Sequence, residues 1–114
     1  MGGAAAAPPP AWIETAGGDR WLAFGSFCWK TTCVDFIPPE MRPELPRLTV
    51  RRGQTARFHL GFSPRTLTLT VGTKTFRLAA KRVAAWRAVN GGIVILNARG
   101  KEGSASYVAR LRLR

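Results

Sequence analysis

The sequence predicts an all-β domain, an immunoglobulin-like antiparallel β-sandwich of about seven short strands. Three observations predict it. Apolar and polar residues alternate through most of the chain from Trp21 onward, which is the period of a half-buried strand. Turn signals built on Gly, Asn, Asp and Pro interrupt the alternation at regular intervals. No stretch has the length and period of a crossover helix, which a parallel sheet would need. At 114 residues, with 46% apolar side chains, the chain is one domain with enough material for a core.

Residues 1–11, almost entirely Gly, Ala and Pro, read as a flexible tether, leaving residues 12–114 as the folded domain. Trp12-Ile13-Glu14 begins the ordered part, and Gly17-Gly18-Asp19 is a turn. A strand then runs from Trp21 through Gly25 to Cys28-Trp29. Four prolines within residues 37–46 exclude a central strand or helix there, so this segment is an extended edge or loop. Leu48-Thr49-Val50 is a strand closed by a tight turn at Gly53. The next strand places Phe58, Leu60 and Phe62 on one face and Arg57 and His59 on the other. The clearest alternation follows, with Leu67, Leu69 and Val71 inward and Thr66, Thr68 and Thr70 outward.

A Gly72-Thr73 turn leads to Phe76-Arg77-Leu78. Residues 83–89 fit a strand better than a helical turn, because Asn90-Gly91-Gly92 and the β-branched Ile93-Val94-Ile95-Leu96 would form a hairpin with it. Residues 97–104 form a glycine-containing turn. The last strand sets Tyr107, Ala109, Leu111 and Leu113 on one face and Val108, Arg110, Arg112 and Arg114 on the other. Trp21 and Trp86 alternate with apolar neighbours and read as core. Trp29, inside the cysteine loop, is either the lid of the core or an exposed contact residue.

Charge is the second strong signal. Eighteen Lys and Arg against six acids give a net +12. The imbalance is confined to one part of the chain: residues 1–46 hold Arg20, Lys30 and Arg42 against five acids, whereas residues 47–114 hold fifteen basic residues against Glu102 alone. So basic a body attracts polyanions such as nucleic acid, anionic lipid or acidic wall polymers. Arg51 and Arg52 meet at a turn, and Arg110, Arg112 and Arg114 recur about 7 Å apart along the last strand, a spacing that can follow an anionic polymer. The same rows would also protect sheet edges from pairing with other chains, and both readings stand.

Other chemistries have little to stand on. His59 is the only imidazole, and no nucleophile signature surrounds Ser63, Ser104 or Ser106. Gly91-Gly92 and Gly100 lack the Lys-Ser/Thr of a phosphate-cradling loop. No catalytic residue, metal site or cofactor is predicted. There is no apolar run long enough for a transmembrane helix, and the first residues lack the basic start and apolar stretch of an export signal. The interval Cys28-Trp29-Lys30-Thr31-Thr32-Cys33 lets the two sulfurs face each other across a short hairpin. That spacing favours a structural disulfide, with a pair of reduced thiols as the alternative, while zinc and thioredoxin-type redox chemistry lack the further ligands or the two-residue interval they need.

Gly25-Ser26-Phe27-Cys28-Trp29, followed by Cys33-Val34-Asp35, Pro39-Glu40, Leu45 and the Gly53 turn, resembles small immunoglobulin-like β-domains of uncharacterised, lipoprotein-like bacterial cell-envelope proteins. The resemblance covers the chain from about Trp12, with a distinctive motif running only from Gly25 to Asp35. It implies an extracytoplasmic setting and a structural Cys28–Cys33 disulfide, and it supplies no activity. The expected function is non-enzymatic, structural or ligand-sensing, with an anionic cell-wall polymer or lipid head groups held through the Arg-rich faces. A small basic nucleic-acid-binding β-barrel is the alternative.

Overall fold

The computed structural model describes residues 6–114, which form eleven strands and one 3-10 turn at Pro39–Met41. In chain order the strands are β1 (Trp12–Thr15), β2 (Gly18–Trp21), β3 (Ala23–Trp29), β4 (Thr32–Val34), β5 (Arg47–Val50) and β6 (Thr55–His59). They continue as β7 (Thr66–Val71), β8 (Lys74–Arg77), β9 (Val83–Arg87), β10 (Gly92–Gly100) and β11 (Gly103–Leu113). One sheet has the order β2-β1-β6-β9. The other has the order β4-β3-β11-β10-β7-β8, with β5 joined to the far end of β11. All ladders are antiparallel except the one between β5 and β11.

The chain passes between sheets from β2 to β3, from β5 to β6, from β6 to β7, from β8 to β9 and from β9 to β10. That connection order is the immunoglobulin-like one: β1, β6 and β9 on one side, and β5, β11, β10, β7 and β8 on the other. Alternation decides which side chains meet between the sheets. Leu67, Leu69 and Val71 of β7 are at most 1% exposed, and they share the interior with Ile13, Phe58, Leu96 and Tyr107. The intervening Thr66, Thr68 and Thr70 stay at least partly in solvent.

Several elements differ from the sequence reading. Residues 83–87 do form a strand, but β9 pairs with β6, while β10 pairs with β7 and β11. Asn90-Gly91-Gly92 is therefore a crossing between sheets and not a hairpin turn. The Asn90 amide holds the Val71 carbonyl there. The turn placed at residues 97–104 shrinks to Lys101-Glu102, because β10 and β11 pair in register up to Gly100 and Gly103. Gly103 adopts φ +146°, and a Cβ at this position would collide with the Cys28 carbonyl, so β3 can approach β11 only over a glycine. The strand read from Trp21 to Trp29 is two, β2 and β3, divided at Leu22, whose amide donates to the Ala11 carbonyl at 2.9 Å. Trp21, read as core, is 64% exposed at the end of the edge strand β2.

The flexible tether is corrected as well, over its second half. Residues 1–5 lie outside the described residues, but residues 6–11 are packed on the domain. Pro8 and Ala11 are buried, and the Tyr107 hydroxyl donates to the Pro9 carbonyl at 2.7 Å. Prolines suit this role because an extended segment with few amides leaves few donors to satisfy on burial.

Tyr107 supplies a test of this packing. Burial pushes its hydroxyl well above the ordinary tyrosine value near 10. Because the folded-state value is the higher one, its contribution to stability is complete below about pH 10 and is lost as pH climbs toward the folded value. Tyr107 is the sole tyrosine, so phenolate absorbance reports it alone. The phenolate should appear in alkali only as the fold is lost, and Tyr107→Phe should cost about 1 kcal/mol in urea denaturation at neutral pH. A native-state titration near pH 10 would contradict the packing of residues 6–11.

Candidate functional site

The parallel ladder between β5 and β11 sets Arg47 beside Arg110 and Thr49 beside Arg112. It carries β5 to the rim of its sheet, next to the β1–β2 hairpin of the opposite sheet. Arg51-Arg52-Gly53-Gln54 then turns the chain into β6. Gly53 takes φ +86°, the Gln54 amide donates to the Arg51 carbonyl, and the Arg51 amide donates to Oε1 of Gln54. The turn is held at the end of β11 by the Arg52 amide, which donates to the Arg114 carbonyl at 2.9 Å.

Between the hairpin and β5 lies an open cleft of about 590 Å³. Arg20, Arg47, Arg51 and Arg114 line it, with Asp19, Thr15, Thr49 and Gln54. All four arginines are exposed. Among the described residues Arg42 forms an ion pair with Glu44 at 2.9 Å and His59 is hydrogen-bonded to Glu14 at 2.9 Å, and neither contact engages a cleft arginine. The cleft is therefore lined by four arginines with a single acidic side chain, Asp19, on its wall. Planar, multidentate donors of this kind match carboxylate, phosphate and sulfate oxygens.

Of the five arginines singled out by the sequence, Arg51 and Arg114 meet in this cleft. Arg52 is exposed but turns away, donating from Nη1 to the Val89 carbonyl at 2.8 Å. Arg112 is exposed beside Thr49 and does not line the cleft. Arg110 is a correction. Its Nη2 is directed at the carbonyls of Pro39, Glu40 and Arg42 at 3.3–3.4 Å, so it ties the proline-rich segment to β11 and is not free for a ligand. Arg42 does the complementary work from within that segment. It is 8% exposed, donates to the Phe24 carbonyl at 2.6 Å and to Glu44, and lies 4.8 Å from the Phe36 ring centre. Arg20 and Arg47 were not singled out in the sequence. Arg20 sits in β2, which reads as turn, and the relation of Arg47 to the last strand depends on a parallel register that no local pattern announces.

The cysteines are bonded. Cys28 and Cys33 stand directly opposite across the β3–β4 hairpin and form a disulfide, which closes the turn around Lys30 at φ 55°. Trp29 as a contact residue is a second correction: it is 5% exposed and packs edge-on against Phe62, with ring centres 4.9 Å apart. The disulfide thus clamps a short hairpin whose tryptophan is part of the core. His59 is engaged too, stacked on Trp12 with ring centres 3.6 Å apart and bonded to Glu14. Among the described residues no group of three or more His, Cys, Asp and Glu could hold a metal ion, and no helix is long and apolar enough to cross a membrane.

Fold and cleft together define the class: an all-β sandwich of immunoglobulin-like strand order with a basic cleft at one rim. Comparison with protein-family models, curated proteins and solved structures finds no match to the chain. Its function is therefore argued from the cleft itself.

The disulfide generates a direct prediction. Replacing both cysteines by serine should lower stability by about 2 kcal/mol in urea denaturation, the chain-entropy value for so small a loop. Amide exchange should rise in Thr32-Cys33-Val34 while β7 and β10 stay protected. Faster exchange throughout the sandwich would mean that the bridge supports the whole core.

Proposed function

We propose that this chain is a non-enzymatic binding domain that captures an anionic polymer in the cleft formed by Arg20, Arg47, Arg51 and Arg114. The observation that carries the reading is the convergence of four unpaired arginines from three separate segments. One arginine row on a strand is ordinary protection of an edge. Four guanidinium groups around one concavity repel each other, and a multivalent anion relieves that repulsion on binding. The openness of the cleft at the rim suits a chain running through it, and an enclosed small molecule would need more apolar lining.

The setting we infer is extracytoplasmic, in a bacterial cell envelope. The Cys28–Cys33 disulfide supports it, since such bonds persist outside reducing compartments. The non-catalytic reading is supported by the surroundings of His59, the sole imidazole: among the described residues its side-chain contacts are Trp12 and Glu14, and no hydroxyl or thiol nucleophile is hydrogen-bonded to it. Anionic wall polymers and lipid head groups are the partners that share this chemistry, and nucleic acid is the polyanion that the same cleft would take in another compartment.

Salt dependence tests the proposal, with inorganic polyphosphate as the probe. Affinity should fall steeply as salt rises, since each phosphate contact releases counterions. Arg47→Ala and Arg51→Ala should each weaken binding severalfold and reduce the logarithmic salt slope by about one. Arg65→Ala, at the opposite end of the sandwich beside Arg99, should leave the slope unchanged. Equal effects at all three positions would reduce the attraction to net charge and overturn the cleft.

A further inference from the structure

The outer face of the first sheet carries a row of side chains that the cleft does not use. Cross-strand register places Trp21, Trp12, His59 and Val83 opposite one another along β2, β1, β6 and β9. Asp19, Glu14, Arg57 and Ala85 form the next row on the same face. Directly opposed side chains on a sheet share a face and touch, so the first row is an aromatic strip with a polar strip beside it.

The strip has one finished side and one open side. His59 stacks flat on Trp12, with ring centres 3.6 Å apart and planes inclined by 5°. Glu14 fixes that imidazole through a 2.9 Å bond to Nε2. On its other flank, Trp12 meets a shallow depression lined only by Trp12, Trp21, Asp19 and Arg20. Trp21 forms the far wall and is 64% exposed. So large an indole at a strand end, beside a backed and oriented second indole, contributes little to folding. It is well placed to receive a flat apolar surface from solvent.

We propose that the anionic polymer is an acidic polysaccharide, with a sugar ring lodged between Trp12 and Trp21 while the cleft arginines hold an acidic group of the same chain. The inference rests on the cleft reading and names the ligand for it. Asp19 and Arg20 line both the depression and the cleft, so the two sites lie on either side of the single edge strand β2. A strand is about 4.8 Å wide, roughly the length of one sugar residue, so the two contacts fall on neighbouring residues of one polymer. The ring's C–H face would rest on indole, and its hydroxyls would donate to Asp19 and accept from Arg20. Asp19 favours this occupant over single-stranded nucleic acid. Its carboxylate, on the wall of the depression, only accepts hydrogen bonds, which suits a sugar ring rich in hydroxyl donors better than a base edge that also presents acceptors.

Three probes and three variants test the proposal: oligogalacturonate, inorganic polyphosphate and an oligo-dT strand, with Trp21→Ala, Trp21→Phe and Arg51→Ala. Trp21 is exposed on an edge strand, so its replacement leaves the core intact. Trp21→Ala should weaken oligogalacturonate about tenfold, the loss of one aromatic stack, and leave polyphosphate within twofold. Trp21→Phe should restore most of the loss, and Arg51→Ala should weaken both probes. Oligogalacturonate binding that ignores Trp21 overturns the polysaccharide inference and leaves the cleft reading standing. Tighter, Trp21-dependent binding of oligo-dT overturns it in favour of nucleic acid. Failure of every probe to bind at physiological salt overturns the cleft reading itself.

Discussion

The structure depends on one strand that changes partners along its length. β11 is paired with β10 on one side from Gly103 to Leu111, but on the other side it holds β3 up to Val108 and β5 from Arg110 onward. The ladder with β3 slips between Ala105 and Tyr107, a bulge that re-aims the strand just before pairing with β3 ends at Val108 and pairing with β5 begins at Arg110. Tyr107, Val108 and Ala109 are all buried at this junction, although side chains on a regular strand face alternate sides. Tyr107 and Ala109 belong to the central core. Val108 and Leu45 are buried outside it, where the proline-rich segment lies over the outer face. The first half of β11 therefore builds the disulfide-clamped hairpin edge, and the second half builds the rim on which the arginines converge.

Charge is sorted by the same arrangement. Arg42 and Arg110 direct donors at backbone carbonyls and Glu44, so the proline-rich segment, which holds Glu40 and Glu44 against Arg42, is fastened to β3 and β11 by charge-assisted hydrogen bonds. Glu14 is drawn to His59. What remains unpaired is distributed over the surface, with one concentration at the cleft, where low-lying walls focus the field. Such a site acts within about 10 Å at ordinary ionic strength, so contact geometry and not long-range attraction would distinguish it from the rest of a +12 surface. The aromatic depression across β2 adds a contact that salt does not screen.

Much of the architecture was legible because strands announce themselves locally. The Leu67-Leu69-Val71 alternation and the Gly53 turn are where local pattern and tertiary burial agree. Pairing was not legible. Asn90-Gly91-Gly92 has the composition of a hairpin, yet β9 belongs to the other sheet, and only the completed sandwich settles which neighbour a strand takes. The site follows the same division. Arg51 and Arg114 were visible as parts of basic runs, whereas Arg20 and Arg47 join them through a parallel register and an edge hairpin. Arg110 could not be told from Arg112 by alternation, because the carbonyls that claim it lie some seventy residues earlier. Trp21, read as core, lies on the surface, and Trp29, open to either place, lies in the core: a tryptophan at a strand end is core or surface according to whether another layer covers it.

The arginine cleft, and not the basic surface at large, is the place where we propose that this domain meets its partner. The direct measurement is an amide chemical-shift titration of isotopically labelled protein with a short oligogalacturonate at physiological salt. Saturable shifts are expected at Arg20, Arg47, Arg51 and Gln54, continuous with Asp19 and the Trp12 and Trp21 indoles, with silence at Arg65, Arg77 and Arg99. Non-saturating shifts spread evenly over the arginines of both ends would contradict the proposal.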